Sequence, residues 1–183
     1  MIQIIEVKTD GQLRKFIRLP WKINEQRRNW VPPFLNDDKK LFSTSQNPAF
    51  SHCTTLMLLA LKNGKTVGRA MGIIHHPYNR QTNQSWARFG FMESICDKHV
   101  FEALIQTIEI WALKHQCTNL IGPFGFSDKD PQGFLSYGYD GPCVIVTNCN
   151  PPHMVDLQKI WEWKNIWIWY STKFPFPSAS LMG

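Results

Sequence analysis

The chain has 183 residues, 43% hydrophobic and 19% charged, with a formal net charge of +6. That is enough for one domain with a real core and too apolar for a disordered chain. No apolar run approaches the length of a membrane span. The start, M-I-Q-I-I-E-V-K-T-D, lacks the basic-then-apolar pattern of a secretory signal, so a cytoplasmic protein without membrane contact is expected.

Residues 2–8 carry Ile2, Ile4, Ile5 and Val7 and predict a first strand. Asp10 is expected to cap a helix with Leu13, Phe16 and Ile17 on one side. Pro20 should kink or restart it, with Trp21 and Ile23 continuing the apolar face. N-W-V-P-P-F-L-N at 29–36 cannot be helix interior or central strand. It is expected to be extended, pinned to its own domain by Trp30 and Phe34. Residues 37–42 suggest one helical turn.

The clearest hairpin joins residues 54–62 to residues 65–75 through Asn63-Gly64, a pair suited to the positive φ values of a tight turn. Both arms are apolar enough to be covered on both faces. Residues 76–85, H-P-Y-N-R-Q-T-N-Q-S, read as a polar loop. Residues 86–95 read as a buried central strand running straight into a long helix. Asp97 is the expected N-cap. Val100, Phe101, Leu104, Ile105, Ile108, Trp111, Ala112 and His115 recur at spacings of three and four, a wide apolar stripe that must lie on a sheet. The first turn of that helix offers backbone N–H groups at Lys98, His99 and Val100, a place where a phosphate can sit if Asp97 does more than cap.

Residues 119–124 read as a short buried strand, 125–140 as a surface loop and 142–147 as another strand. Asn150-Pro151-Pro152 should open a helix containing Val155 and residues 157–161, and residues 165–172 suggest a last strand. The order is β-α-β-β-β-α-β-β-α-β. It predicts an α/β (α+β) fold with a mixed central sheet of about six to seven strands flanked by helices.

The five cysteines, Cys53, Cys96, Cys117, Cys143 and Cys149, are scattered with no C-x-x-C pair, and are expected to be reduced core residues. His75 and His76 are adjacent on a strand end and point to opposite faces, a poor metal pair. No metal site is expected. Lys and Arg are spread thinly, so the positive charge permits an anionic partner such as a nucleotide cofactor without singling out nucleic acid.

This element order, with a central strand leading into a phosphate-facing helix, resembles the GNAT superfamily of N-acetyltransferases. The chain looks most like an uncharacterised bacterial GNAT-like family. The likeness is carried by F-I-R-L-P-W-K-I-N (16–24), N-W-V-P-P-F (29–34), N-P-A-F (47–50), G-K-T-V-G-R (64–69), G-F-M-E-S-I (90–95), G-P-F-G-F-S (122–127), G-F-L-S-Y-G-Y-D-G-P (133–142) and N-P-P (150–152). It covers residues 1–160, as a GNAT-like domain similar to the N-terminal half of longer members. It implies an acyl-CoA N-acyltransferase fold, acetyl-CoA as co-substrate and a small primary amine as acceptor, with a homodimer left open.

By the same resemblance, Glu93 on the central strand is the candidate general base. The turn of Ser94, Ile95, Cys96, Asp97, Lys98 and His99 is the candidate cofactor-binding loop. His153 stands where relatives carry the tyrosine that protonates the departing thiolate, or is an ordinary surface residue at a helix N-terminus, and Asn150 is placed to hydrogen-bond the pantetheine arm or to cap its own helix. Glu93 can alternatively pair with a Lys or Arg at the strand end. The turn departs from the superfamily pattern: S-I-C-D-K-H-V has no glycine, and Asp97 puts negative charge where a pyrophosphate would sit, offset by Lys98 and His99. A catalytically degenerate module that binds a ligand or partner is therefore the second reading.

Residues 161–183 do not look like the family. W-E-W-K-N-I-W-I-W-Y holds four of the eight tryptophans. Because tryptophan has a single codon, a shifted reading frame after Ile160 can be reconstructed that resembles the family's ending. A frameshifted or divergent last strand is the expectation for this tail.

Overall fold

The structure is a computed structural model that describes residues 1–141 and 147–161. Its elements, in chain order, are β1 (Ile2–Glu6), α1 (Asp10–Ile23), α2 (Leu35–Leu41), β2 (Cys53–Lys62), β3 (Lys65–His75), α3 (His76–Thr82), β4 (Trp86–Ser94), α4 (Lys98–Lys114), β5 (Asn119–Ile121) and α5 (His153–Trp161). The strands form one mixed sheet in the order β1-β2-β3-β4-β5, antiparallel except for the parallel pair β4–β5. The described residues thus hold five strands, fewer than the six to seven expected. The strands predicted at 142–147 and 165–172, and the reading of the tail, fall on or across residues outside the described ones.

Strand alternation on β3 divides the core into two layers. On one face, a Cβ placed on Gly68 would lie 2.9 Å from Val100, and one on Gly72 would lie 2.8 Å from Trp111, so α4 rests directly on the strand. Ala70 and Ile74 join this layer with Leu58, Phe89, Leu104 and Ile108. On the other face, Met71 and Ile73 pack with Phe16 and Ile17 of α1, Phe42 and Leu59. Glycine at 68 and 72 is what permits so close a helix.

Several local expectations change. Thr9, not Asp10, caps α1: its hydroxyl accepts from Gln12 N and the Gln12 side chain accepts from Thr9 N, a complete capping box. The helix also runs through Pro20 without a restart. Pro20 has no N–H for the Phe16 carbonyl, and Arg69 Nη1 from β3 donates to that oxygen at 2.9 Å instead.

Residues 76–82 are helical where a loop was predicted. Pro77 suits the first turn, the His75 ring accepts from Tyr78 N, and Asn83 at φ 51° ends the helix. Phe34 is 73% exposed and pins nothing, whereas Trp30 packs edge-on against Trp21. Residues 35–41 are a helix that starts ahead of the predicted turn.

The Asn63-Gly64 hairpin forms as expected, with φ of 52° and 74°. α4 buries its predicted stripe except at its end, where His115 is the exposed C-cap and meets the Trp111 ring edge-on. The segment 125–140 is irregular but not simply surface: Phe126 joins the α1 layer and Phe134 the α4 layer. Cys53, Cys96 and Cys117 are free thiols, while Cys149 is disulfide-bonded, against the expectation of reduced cysteines throughout.

Candidate functional site

The site is built by an irregularity in β4. Ala87 and Phe89 face the α4 layer, and simple alternation would point Glu93 there too. The β3–β4 register instead shifts between Arg69/Glu93 and Met71/Gly90, and Phe91 takes a φ of 47°. This bulge reverses the alternation. Met92 and Ser94 face α4, and Glu93 turns to the α1 face opposite Arg69. Re-aiming one side chain is the usual effect of a bulge beside a functional site.

Arg69 is 5% exposed. Its Nη2 pairs with Glu93 Oε1 at 3.0 Å, and its guanidinium lies 5.0 Å from the Phe16 ring centre. The alternative given for Glu93, pairing with an arginine, is thus present. Among the described residues, Glu93 Oε2 and Arg69 Nε are buried without a hydrogen-bond partner. Asp38 of α2 belongs to the same cluster. Burial pushes its carboxyl up to about 6, Arg69 opposes that, and Glu93 and Asp37 add to it. Arg27 sits nearby, held by Asn24 Oδ1 and the Cys149 carbonyl, with its pKa lowered by burial and supported by Tyr139 and Glu93.

The end of β4 meets α5. His153 Nε2 lies 2.8 Å from the Ser94 carbonyl, which can only accept, so the ring carries its proton there. Ser94 is fully buried, with its hydroxyl on Met154 Sδ at 3.6 Å. Asn150 is spent on the chain itself: Oδ1 accepts from Leu135 N, and Nδ2 donates to the Leu135 and Pro151 carbonyls. It fastens the 133–135 segment ahead of α5.

In the turn that follows, Ile95 N bonds to the Val67 carbonyl, and Cys96 is exposed. Asp97 accepts from His99 N at 3.0 Å and from Lys62 Nζ at 2.7 Å; that lysine bond, the largest cause, lowers its pKa. Val100 N is also taken, by the Asp97 carbonyl. Of the N–H groups expected to be open, those of His99 and Val100 are therefore engaged. A phosphate would compete with the Asp97 carboxylate for the His99 donor.

The structure thus brings Glu93 and His153 to one end of β4. The turn at 94–99 follows it on the way to α4. Asp38, Arg69 and Arg27 were missed by the sequence reading. The signal the sequence carries for Arg69 is a strand arginine amid apolar residues, in G-K-T-V-G-R.

A second group, His52, Cys53 and His75, has ligand atoms within 4.8 Å of one another. His75 Nδ1 accepts from Tyr78 N, which leaves the ring proton on Nε2. Burial pushes the Cys53 thiol up to about 11, away from the thiolate a metal needs.

A protein with this sheet, bulge and helix arrangement has a GNAT-like fold. No family model matches the chain. Among solved structures it is similar to a tandem GNAT protein from the clavulanic acid biosynthesis pathway, with a TM-score of 0.50 and 16% identity over 66% of this chain and 35% of that one. Among curated proteins it is similar to a bacterial ceramide synthase of Caulobacter vibrioides (strain NA1000 / CB15N), 29% identical over 151 residues, 82% of this chain and 39% of the relative. It is also similar to Protein YghO of Escherichia coli (strain K12), 26% identical over 157 residues, 85% of this chain and 40% of the relative. The chain spans about two fifths of the length of these curated relatives. Among the described residues, no helix is long and apolar enough to cross a membrane.

Proposed function

We propose that this chain is the GNAT-like unit of an N-acyltransferase that moves an acyl group from an acyl-CoA thioester to a primary amine. The observation that carries the reading is the re-aimed Glu93. One carboxylate oxygen is anchored by buried Arg69 and the other is unpartnered. Anchoring Oε1 fixes the carboxylate's direction and leaves Oε2, buried and without a partner among the described residues, to take a proton from the amine directly or through a water. The freed nitrogen lone pair attacks the thioester carbonyl, the C–S bond breaks, and the surplus proton on the nitrogen passes to the departing thiolate; His153, whose Nε2 is bonded to the Ser94 carbonyl at the end of the same strand, relays it through its other ring nitrogen. Acetyl-CoA is the simplest donor. The likeness to a ceramide synthase favours a longer acyl chain and a long-chain amine, because a ceramide is an amide of a long-chain amino alcohol.

The turn from Ser94 to His99 would meet the donor's pyrophosphate. As capped, it does not fit: Asp97 holds its donor N–H and its charge repels phosphate. The cap favours a second reading, a non-catalytic module that keeps the fold and binds another ligand or partner.

Calorimetric titration with acetyl-CoA and a long-chain acyl-CoA, using ATP and desulfo-CoA as controls, separates the two. Saturable binding that tightens in Asp97→Asn, followed by amine acylation that falls about 100-fold or more in Glu93→Gln, supports the transferase. No heat from folded wild-type and folded Asp97→Asn leaves the non-catalytic module.

A further inference from the structure

We infer that the outer face of α1 and the 31–34 segment form a docking surface for an anionic lipid bilayer. Val31 is 61% and Phe34 73% exposed, with Pro32 and Pro33 exposed between them. A run of two prolines framed by Val and Phe leaves few backbone donors to hydrate, which suits insertion at an apolar boundary. The same segment forms one wall of a groove of about 790 Å³ whose lining includes Trp30, Pro32, Trp21, Arg18 and Lys22, with Glu25 as its acid. Along α1, Arg14, Lys15, Arg18 and Lys22 are all exposed.

An exposed apolar tip next to a cationic helix face, with tryptophans at the boundary, complements a negatively charged headgroup layer over hydrocarbon. A second copy of the chain would meet the same cations with its own, so charge favours lipid over self-association. Arg27 lines the groove and lies within electrostatic reach of Glu93, which sets the surface beside the candidate site. Docking stands whether or not the chain is a transferase.

The test is co-sedimentation of the full chain with phosphatidylcholine vesicles, with and without phosphatidylglycerol, at low and high salt. Wild type is expected to bind the phosphatidylglycerol vesicles and to be released by salt. Val31→Asp/Phe34→Asp and Arg18→Glu/Lys22→Glu should each lower partition by about tenfold or more. Circular dichroism and thermal melting check that both variants stay folded. Absence of wild-type binding overturns the inference, as does binding that folded Val31→Asp/Phe34→Asp retains. A wild-type dimer in sedimentation equilibrium that the aspartates dissociate, with no vesicle binding, assigns the surface to self-association instead.

Discussion

Arg69→Met is the substitution that probes the site most directly. The guanidinium makes two bonds that nothing else in the cluster replaces: Nη2 to Glu93 Oε1 at 3.0 Å and Nη1 to the Phe16 carbonyl at 2.9 Å. Methionine fills much of the volume but donates nothing. The Phe16 carbonyl then loses its partner with no helical N–H to replace it, because Pro20 stands four residues on. That costs about 1–2 kcal/mol. Glu93, with a side chain 19% exposed, is left as a nearly buried carboxylate without its cation, and removing one partner of a buried pair costs about 3–5 kcal/mol.

The two bonds belong to one guanidinium, so the two costs do not simply add, and a total of about 4 kcal/mol is expected. Urea unfolding followed by tryptophan fluorescence reads it. The double variant Arg69→Met/Glu93→Leu removes both charges and should recover about 2 kcal/mol of the loss. A cost below about 1 kcal/mol for Arg69→Met, or a double variant as unstable as the sum of the singles, would refute the buried-pair account.

Three further outcomes follow from neighbouring geometry. Asp38 has a folded pKa of about 6, raised above its ordinary value, so its contribution to stability is full at acid pH and is lost as pH rises through that value. The shift alone sets a ceiling of about 3 kcal/mol, which solvent access to the half-buried carboxyl reduces to about 1 kcal/mol. Asp38→Asn should therefore be the more stable protein by that amount at pH 7 and should flatten the pH profile of urea midpoints between pH 4 and pH 7; an unchanged slope would count against burial as the cause. Asp97→Ala should lose about 1 kcal/mol of cap energy by thermal melting. Its pH dependence runs the other way: the lowered pKa stabilises above the ordinary aspartate value, and that stability disappears as pH falls through the folded one. Gly90→Ala would place a methyl 2.1 Å from the Phe124 carbonyl oxygen, backbone that cannot step aside, and should cost about 3 kcal/mol; a melt within error of wild type would mean the two segments are not in contact.

Much of the chain's local structure is written in residue order. Asn63-Gly64 dictates its hairpin because few other pairs accept two consecutive positive φ values, and the spacing of Val100, Phe101, Leu104, Ile105 and Ile108 dictates which side of α4 is buried. Likewise Asp97 is legible as a cap, since a short side chain before an apolar-periodic run has a helix N–H within reach.

What could not be read is whatever depends on two distant segments meeting. Pro20 looks like a break until Arg69 arrives from β3 to satisfy the carbonyl it strands. Residues 76–82 look like a polar loop until the His75 ring supplies the first-turn acceptor. Period-two counting places Glu93 on the same face as Phe89, and only the bulge at Phe91, set by how β4 packs between β3 and the Phe124 segment, turns it towards Arg69 and Asp38. The sequence by itself determined the Asn63-Gly64 hairpin, the buried side of α4 and, through the family resemblance, Glu93 as the candidate base. The tertiary structure decided its direction and its neighbours, because a strand's facing is a property of its register with other strands and not of its own residues.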